Sequence, residues 1–149
     1  MSSATAVDRA AGGSSADALV CDTSVLASAI FGDRNGAEAR DLTRSRRLVA
    51  PSLIRYEMAQ VALRKCEGCS AETVTLVLRA YETSLRVPVQ LLEPCWPDVV
   101  RLARAHGLSG YDASYLQLAL SLRLPLATLD KQLGRVADEL GIRAAPKAR

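Results

Sequence analysis

No stretch of this 149-residue chain is apolar for long enough to cross a membrane. The most apolar run, 116–129, is interrupted by Gln117, Ser121, Arg123 and Pro125, whereas a spanning helix needs ~20 mostly apolar residues. Residues 1–17 lack the apolar stretch of a secretory signal. They are rich in Ser, Ala and Gly, have little to bury, and predict a disordered tail. A cytoplasmic protein is the expectation. A strong charge of either sign is also missing: 19 basic and 16 acidic residues leave +3, too little for an electrostatic DNA clamp. Lysine is scarce, with only Lys65, Lys131 and Lys147. The basic charge is therefore mostly arginine, the better phosphate ligand because its guanidinium pairs bidentately. Composition alone fits an arginine-rich codon usage equally well.

A cysteine framework is absent too. Cys66 and Cys69 have zinc-knuckle spacing, but no second Cys-x-x-Cys follows. Cys95 and His106 complete a set only formally. Cys21 and Cys95 sit in apolar contexts that predict reduced core thiols. His106, the single histidine, precedes Gly107 near a predicted helix end, where the helix dipole favours a cation. A chain of this length buries roughly two-thirds of its surface on folding and needs neither disulfide nor structural metal.

What is present is alternation. Ala18 to Asp22 reads as a buried strand, Thr23 to Phe31 as a helix, Gly32 to Gly36 as a turn and Ala37 to Ser45 as a helix. Arg47 to Ala50 is a second strand. Pro51 opens a helix running to about Lys65, and Ala71 to Ser84 forms another. Val87 to Leu92 is a strand that Pro88 confines to an edge or a strand start. Pro94 to His106 and Tyr111 to Leu122 read as helices, Pro125 to Leu129 as a strand, Lys131 to Leu140 as a helix and Ile142 to Ala144 as a last strand. Strands alternating with helices predict an α/β fold with a parallel sheet covered on both faces. Sites in such sheets form outside the carboxyl ends of the strands.

Three aspartates fall at strand–helix junctions: Asp22 after the first strand, Asp112 in the first turn of its helix, and Asp130 after Thr128-Leu129. Each also suits a helix cap, and Ser109 with Asp112 fits a capping box. Glu57 is different. Its helix carries an apolar stripe of Leu53, Ile54, Met58 and Val61, and helical spacing puts Glu57 inside it. A buried carboxylate needs a partner. An arginine, a cation, or a stripe at the protein's edge would each resolve the conflict. Together the four acids predict a cluster that repels itself unless a divalent cation binds. All-oxygen ligands suit Mg²⁺ or Mn²⁺ rather than Zn²⁺. A cation of this kind polarises a phosphoryl oxygen and activates water, which makes phosphodiester hydrolysis the natural chemistry.

In order, these residues are Asp22-Thr-Ser after a strand, Pro51-Ser-Leu-Ile-Arg-Tyr-Glu57, Tyr111-Asp112-Ala and Thr128-Leu-Asp130. The pattern resembles the PIN domain, most closely the VapC-like ribonuclease toxins of type II toxin–antitoxin systems, over about 18–145. The resemblance implies a three-layer α/β/α fold with a short central parallel sheet over 18–146. It also implies Mg²⁺- or Mn²⁺-dependent endoribonuclease activity, a homodimer and a cognate antitoxin. Carried over, Asp22, Glu57 and Asp112 are the main metal ligands and Asp130 the fourth acid, often acting through water. Ser24 and Thr128 match polar positions lining the site. The rival phosphatase pattern needs an acid where Ser24 stands, and a phospho-receiver needs an Asp at a middle strand end paired with a late lysine at another, a pair this sequence does not show. The alternative is a non-catalytic PIN-like module that only binds RNA or protein. An antitoxin arginine that plugs the acidic pocket is expected, with Leu53, Ile54, Val74 and Leu78 as candidate contacts for its apolar segment.

Overall fold

A computed structural model describes residues 17–144. The predicted tail therefore lies outside the described residues, apart from Asp17. The elements run β1 (Ala18–Cys21), α1 (Thr23–Phe31), α2 (Gly36–Ser45), β2 (Arg47–Ala50), α3 (Leu53–Cys66), α4 (Ala71–Ser84), β3 (Val89–Leu91), α5 (Trp96–His106), α6 (Gly110–Leu122), β4 (Leu126–Ala127), α7 (Lys131–Glu139) and β5 (Arg143–Ala144). The strands form one sheet in the order β3-β2-β1-β4-β5. Every pairing is parallel, with Leu19 opposite Leu48, Val20 opposite Leu126, Leu48 opposite Val89 and Leu126 opposite Arg143. Among the described residues, seven helices flank this five-stranded sheet.

β1 is central and entirely buried because Ala-Leu-Val-Cys offers no polar side chain to either face. From β1 the chain winds outward through β2 to β3, then returns to the other side of β1 as β4 and β5. The strand order therefore reverses between β1 and β4, and a crevice opens at the carboxyl ends of those two strands. α6 packs on β1. It is buried continuously from Ala113 to Ala119, so its polar Gln117 needs a partner. The Gln117 side-chain oxygen accepts the backbone N–H of Cys95 at 3.0 Å.

Proline trims several predicted elements. Val87–Leu92 shortens to Val89–Leu91 because Pro88 has no N–H to give the ladder, and β3 is an edge strand, as its proline requires. The predicted start at Pro94 moves to Trp96, with Cys95 at the N-cap and Pro97 in the first turn. Pro51 stands before α3 rather than inside it. α5 ends where Gly107 takes φ +65°, with His106 in the last turn. Two expectations about burial are corrected. Cys95 is exposed at the α5 cap, not a core thiol, whereas Cys21 is buried. The buried line of α3 is Ile54, Met58 and Ala62, while Leu53 and Val61 are only half-buried. The helix is rotated from the predicted stripe, because the side it buries is the one that packs on α1 and α4.

Candidate active site at the carboxyl edge of the sheet

Asp22 follows the last residue of β1 and is 5% exposed. It occupies the N-cap position of α1, yet its side chain makes no capping bond. The cap reading of Asp22 therefore fails. Its carboxylate instead accepts two hydroxyls on the same oxygen. Ser24 Oγ donates to Asp22 Oδ2 at 2.7 Å, and Thr128 Oγ1 donates to it at 2.8 Å. Each hydroxyl is itself oriented by a backbone N–H of the loop after β4: Leu129 donates to Ser24 at 2.9 Å and Asp130 to Thr128 at 3.1 Å. The β4–α7 loop thus locks both hydroxyl protons toward Asp22. Ser24 and Thr128 bridge the two strands at the reversal point.

Burial is the largest influence on Asp22 and pushes its pKa up to about 6 from 3.8. The two hydroxyls pull the other way, and the nearby Glu57 charge adds to the rise. Asp112, half-buried in the first turn of α6, is also raised to about 6, first by burial and then by the charges of Asp22 and Asp130. The four acids thus share one electrostatic neighbourhood. Asp22 feels Glu57, and Asp112 feels both Asp22 and Asp130.

Asp112 and Asp130 have local roles as well. Ser109 Oγ accepts the Asp112 N–H at 3.0 Å, which caps α6. Asp130 Oδ1 accepts the Leu133 N–H at 2.8 Å, which caps α7. Glu57 projects from α3 and finds neither arginine nor lysine among the ion pairs of the described residues. Its Oε1 instead meets Tyr115 OH at 2.7 Å and Thr23 Oγ1 at 3.0 Å, and those two oxygens lie 2.7 Å apart. Two hydroxyls supply only two protons, so two of these three contacts are hydrogen bonds at any moment. Burial first, and then the neighbouring Asp22 and Glu57 charges, raise the Tyr115 phenol far above its ordinary value.

Thr23 and Tyr115 are the positions that sequence reasoning missed. Tyr115 lies three residues after Asp112 on α6, which gives it the same helix face. Within an apolar helix, however, it reads simply as core.

The donor set is all oxygen, carries like charge, and centres on a carboxylate that is costly to ionise where it stands. Those features fit a hard divalent cation. Among the described residues, no three Asp, Glu, His or Cys side chains are gathered as a finished ligand cage, so the acids form an open cluster. A large cavity of about 1310 Å³ lies elsewhere. It sits at the amino edge of the sheet, between Asp17, Arg47 and Val89, and none of the four acids lines it.

A family model described as "PIN domain" matches residues 19–139. Among solved structures, the crystal structure of PAE2754 from Pyrobaculum aerophilum superposes with a TM-score of 0.68. The match is at 24% identity over 90% of this chain and 88% of that one, and it supports the fold alone. No curated protein matches the chain. PIN domains are typically nucleases that use divalent metal ions, and the four acids lie within the matched span. The chain belongs to the PIN-domain family.

Proposed function

We propose that the protein is a metal-dependent endoribonuclease that hydrolyses RNA phosphodiester bonds at Asp22, Glu57, Asp112 and Asp130, and that it is the VapC-like toxin of a toxin–antitoxin pair. The observation that carries this reading is Asp22. A nearly buried acid with no basic partner, held by two oriented hydroxyls and surrounded by other carboxylates, is expensive to keep ionised without a cation.

Asp22, Glu57 and Asp112 would hold Mg²⁺ or Mn²⁺, with Asp130 as the fourth acid. The ion would polarise the phosphoryl oxygen and lower the pKa of water. Ser24 and Thr128 fix the rotamer of Asp22. Thr23 and Tyr115 hold Glu57 Oε1, so its other oxygen stays aimed by a braced side chain. Asp130 remains exposed, where it can orient water or the strand.

RNA as substrate, a cytoplasmic setting, a homodimer and an inhibiting antitoxin follow from the same reading. One detail of the partner surface changes. Ile54 is 2% exposed and belongs to the core, whereas Leu78 is 48% exposed. An apolar partner segment would therefore rest on α4, not on Ile54.

Asp22→Asn and Asp112→Asn test the assignment, because each removes a ligand charge but little volume. Cleavage is expected to vanish in both while the fold, checked by circular dichroism, survives. Wild-type cleavage rates in both variants would reduce these residues to structural roles and return the chain to a non-catalytic binding module.

A further inference from the structure

Another hollow, of about 360 Å³, lies between the α1–α2 turn, α7 and β5. Leu129 and Lys131, the two neighbours of Asp130, both line it. Its charged lining is Arg34, Lys131, Arg135 and Arg143 against Asp138 and Glu139, four cations to two acids. Both acids are already engaged: Asp138 pairs with Arg143 at 2.7 Å and Glu139 with Arg135 at 3.8 Å. Neither Arg34 nor Lys131 forms a salt bridge among the described residues. This basic wall meets the acidic cluster only through the Leu129–Lys131 segment that carries Asp130, and none of the four acids lines the hollow itself.

The position of Arg143 is built into the fold. Its guanidinium lies across Gly134, in the middle of α7. A Cβ added at Gly134 would come within 2.8–2.9 Å of Arg143 Cζ, Nη1 and Nη2. Glycine is unfavourable inside a helix, and at this position the absent side chain makes room for Arg143. The Arg143 Nε is buried with no hydrogen-bond partner among the described residues.

We propose that this groove seats backbone phosphates of the RNA strand just beyond the scissile bond. Arg34 and Lys131 are the phosphate ligands, and Gly134 positions Arg143 as the fixed rear wall. The proposal rests on the ribonuclease reading. It favours nucleic acid over a peptide with apolar anchors because, among the described residues, Leu129 is the only apolar side chain in the lining. The groove also resolves a difficulty of the site itself. Four carboxylates repel a polyanion, and an adjacent cationic track returns the attraction while fixing the direction in which the strand leaves.

The test compares wild type with the double variant Arg34→Ala/Lys131→Ala and with Gly134→Ala, on a dinucleotide and on a labelled twelve-nucleotide RNA. Binding of the longer RNA is measured in EDTA across a salt series, and cleavage of both substrates is measured in Mg²⁺. Each lost single-strand phosphate contact lowers the slope of log K against log salt by about 0.7. The double variant is therefore expected to lose roughly 1.4 in slope and at least tenfold in kcat/KM on the long RNA, with dinucleotide cleavage unchanged. Gly134→Ala is expected to melt no lower than wild type yet to bind the long RNA more weakly, which a merely structural glycine would not do.

Equal slopes and equal kcat/KM on the long RNA, with wild-type cleavage intact, would overturn the groove and leave the nuclease reading standing. Parallel losses on both substrates would also overturn it, because the damage would then lie at the carboxylates. A wild-type protein that neither binds nor cuts RNA would remove both readings together.

Discussion

Asp22 sets a linkage that can be measured without any substrate. Its pKa is about 6 in the folded chain against an ordinary 3.8, so between those values the folded state keeps a proton that the unfolded state has released. Stability contributed by the protonated acid is fully present below about pH 4 and is lost as pH rises through about 6. A shift of that size corresponds to about 3 kcal/mol, with Asp112 adding less because it is half exposed. In the metal-free protein, Asp22→Asn is therefore expected to raise the melting temperature at pH 7.5 by several degrees and to change it little at pH 4. Scans at the two pH values check this, and an equal shift at both would show that burial of the charge is not the cause. Mg²⁺ should stabilise the wild type, since a ligand bound only to the native state does so, and Asp22→Asn should blunt that rise. Glu57 makes a second point at this scale. The sequence showed that it faces inward and needs a partner, but the partners proved to be the Thr23 and Tyr115 hydroxyls rather than an arginine. Tyr115→Phe removes one of them and is expected to cost about 1 kcal/mol, read as a lower melting temperature of the metal-free protein.

At the scale of elements, α1, β2 and α4 were legible to the residue, as Thr23–Phe31, Arg47–Ala50 and Ala71–Ser84. The larger shifts, in β3, α5 and β4, fall beside Pro88, Pro94 and Pro125, since proline fixes its own backbone but does not say whether the next residue joins a ladder or a helix. The phase of α3 was less legible. Leu53, Ile54, Met58 and Val61 make a plausible stripe, yet only Ile54 and Met58 of that set are buried. Periodicity reports that a helix has an apolar side, not the angle at which a sheet meets it. Caps were clearer. Gly107 closes α5 at φ +65° with almost nothing near its missing Cβ, so Gly107→Ala is expected to cost about 1 kcal/mol through backbone strain alone. Denaturant titration checks the size, and an unchanged midpoint would mean that the turn relaxes.

Across the whole molecule, the reversal of strand order between β1 and β4 brings Ser24 and Thr128 onto one carboxylate from positions more than a hundred residues apart. The sequence supplied the acids and their order. It did not supply the hydroxyl relay, because hydrogen bonds across that distance depend on how β1 and β4 sit side by side. The large arginine-lined cavity at the opposite sheet edge had no sequence signal beyond composition. Inhibition belongs to this scale too. If an antitoxin arginine neutralises the acidic cluster, it competes with the cation for the same oxygens. Raising Mg²⁺ is then expected to weaken inhibition, and replacing that arginine with alanine to lower inhibition more than binding. Inhibition indifferent to metal and to every antitoxin arginine would mean that the partner blocks RNA from elsewhere. Residues 1–16 lie outside the described residues, and a chain beginning at Asp17 is expected to keep both melting temperature and cleavage.

The most direct test of the four-carboxylate centre is incubation of the purified protein with total RNA in Mg²⁺, in Mn²⁺ and in EDTA, resolved on a denaturing gel. Discrete RNA fragments in either metal, absent in EDTA and absent with Asp22→Asn, are the expected result. Intact RNA in both metals, or fragments that persist in EDTA at the same rate, would contradict it.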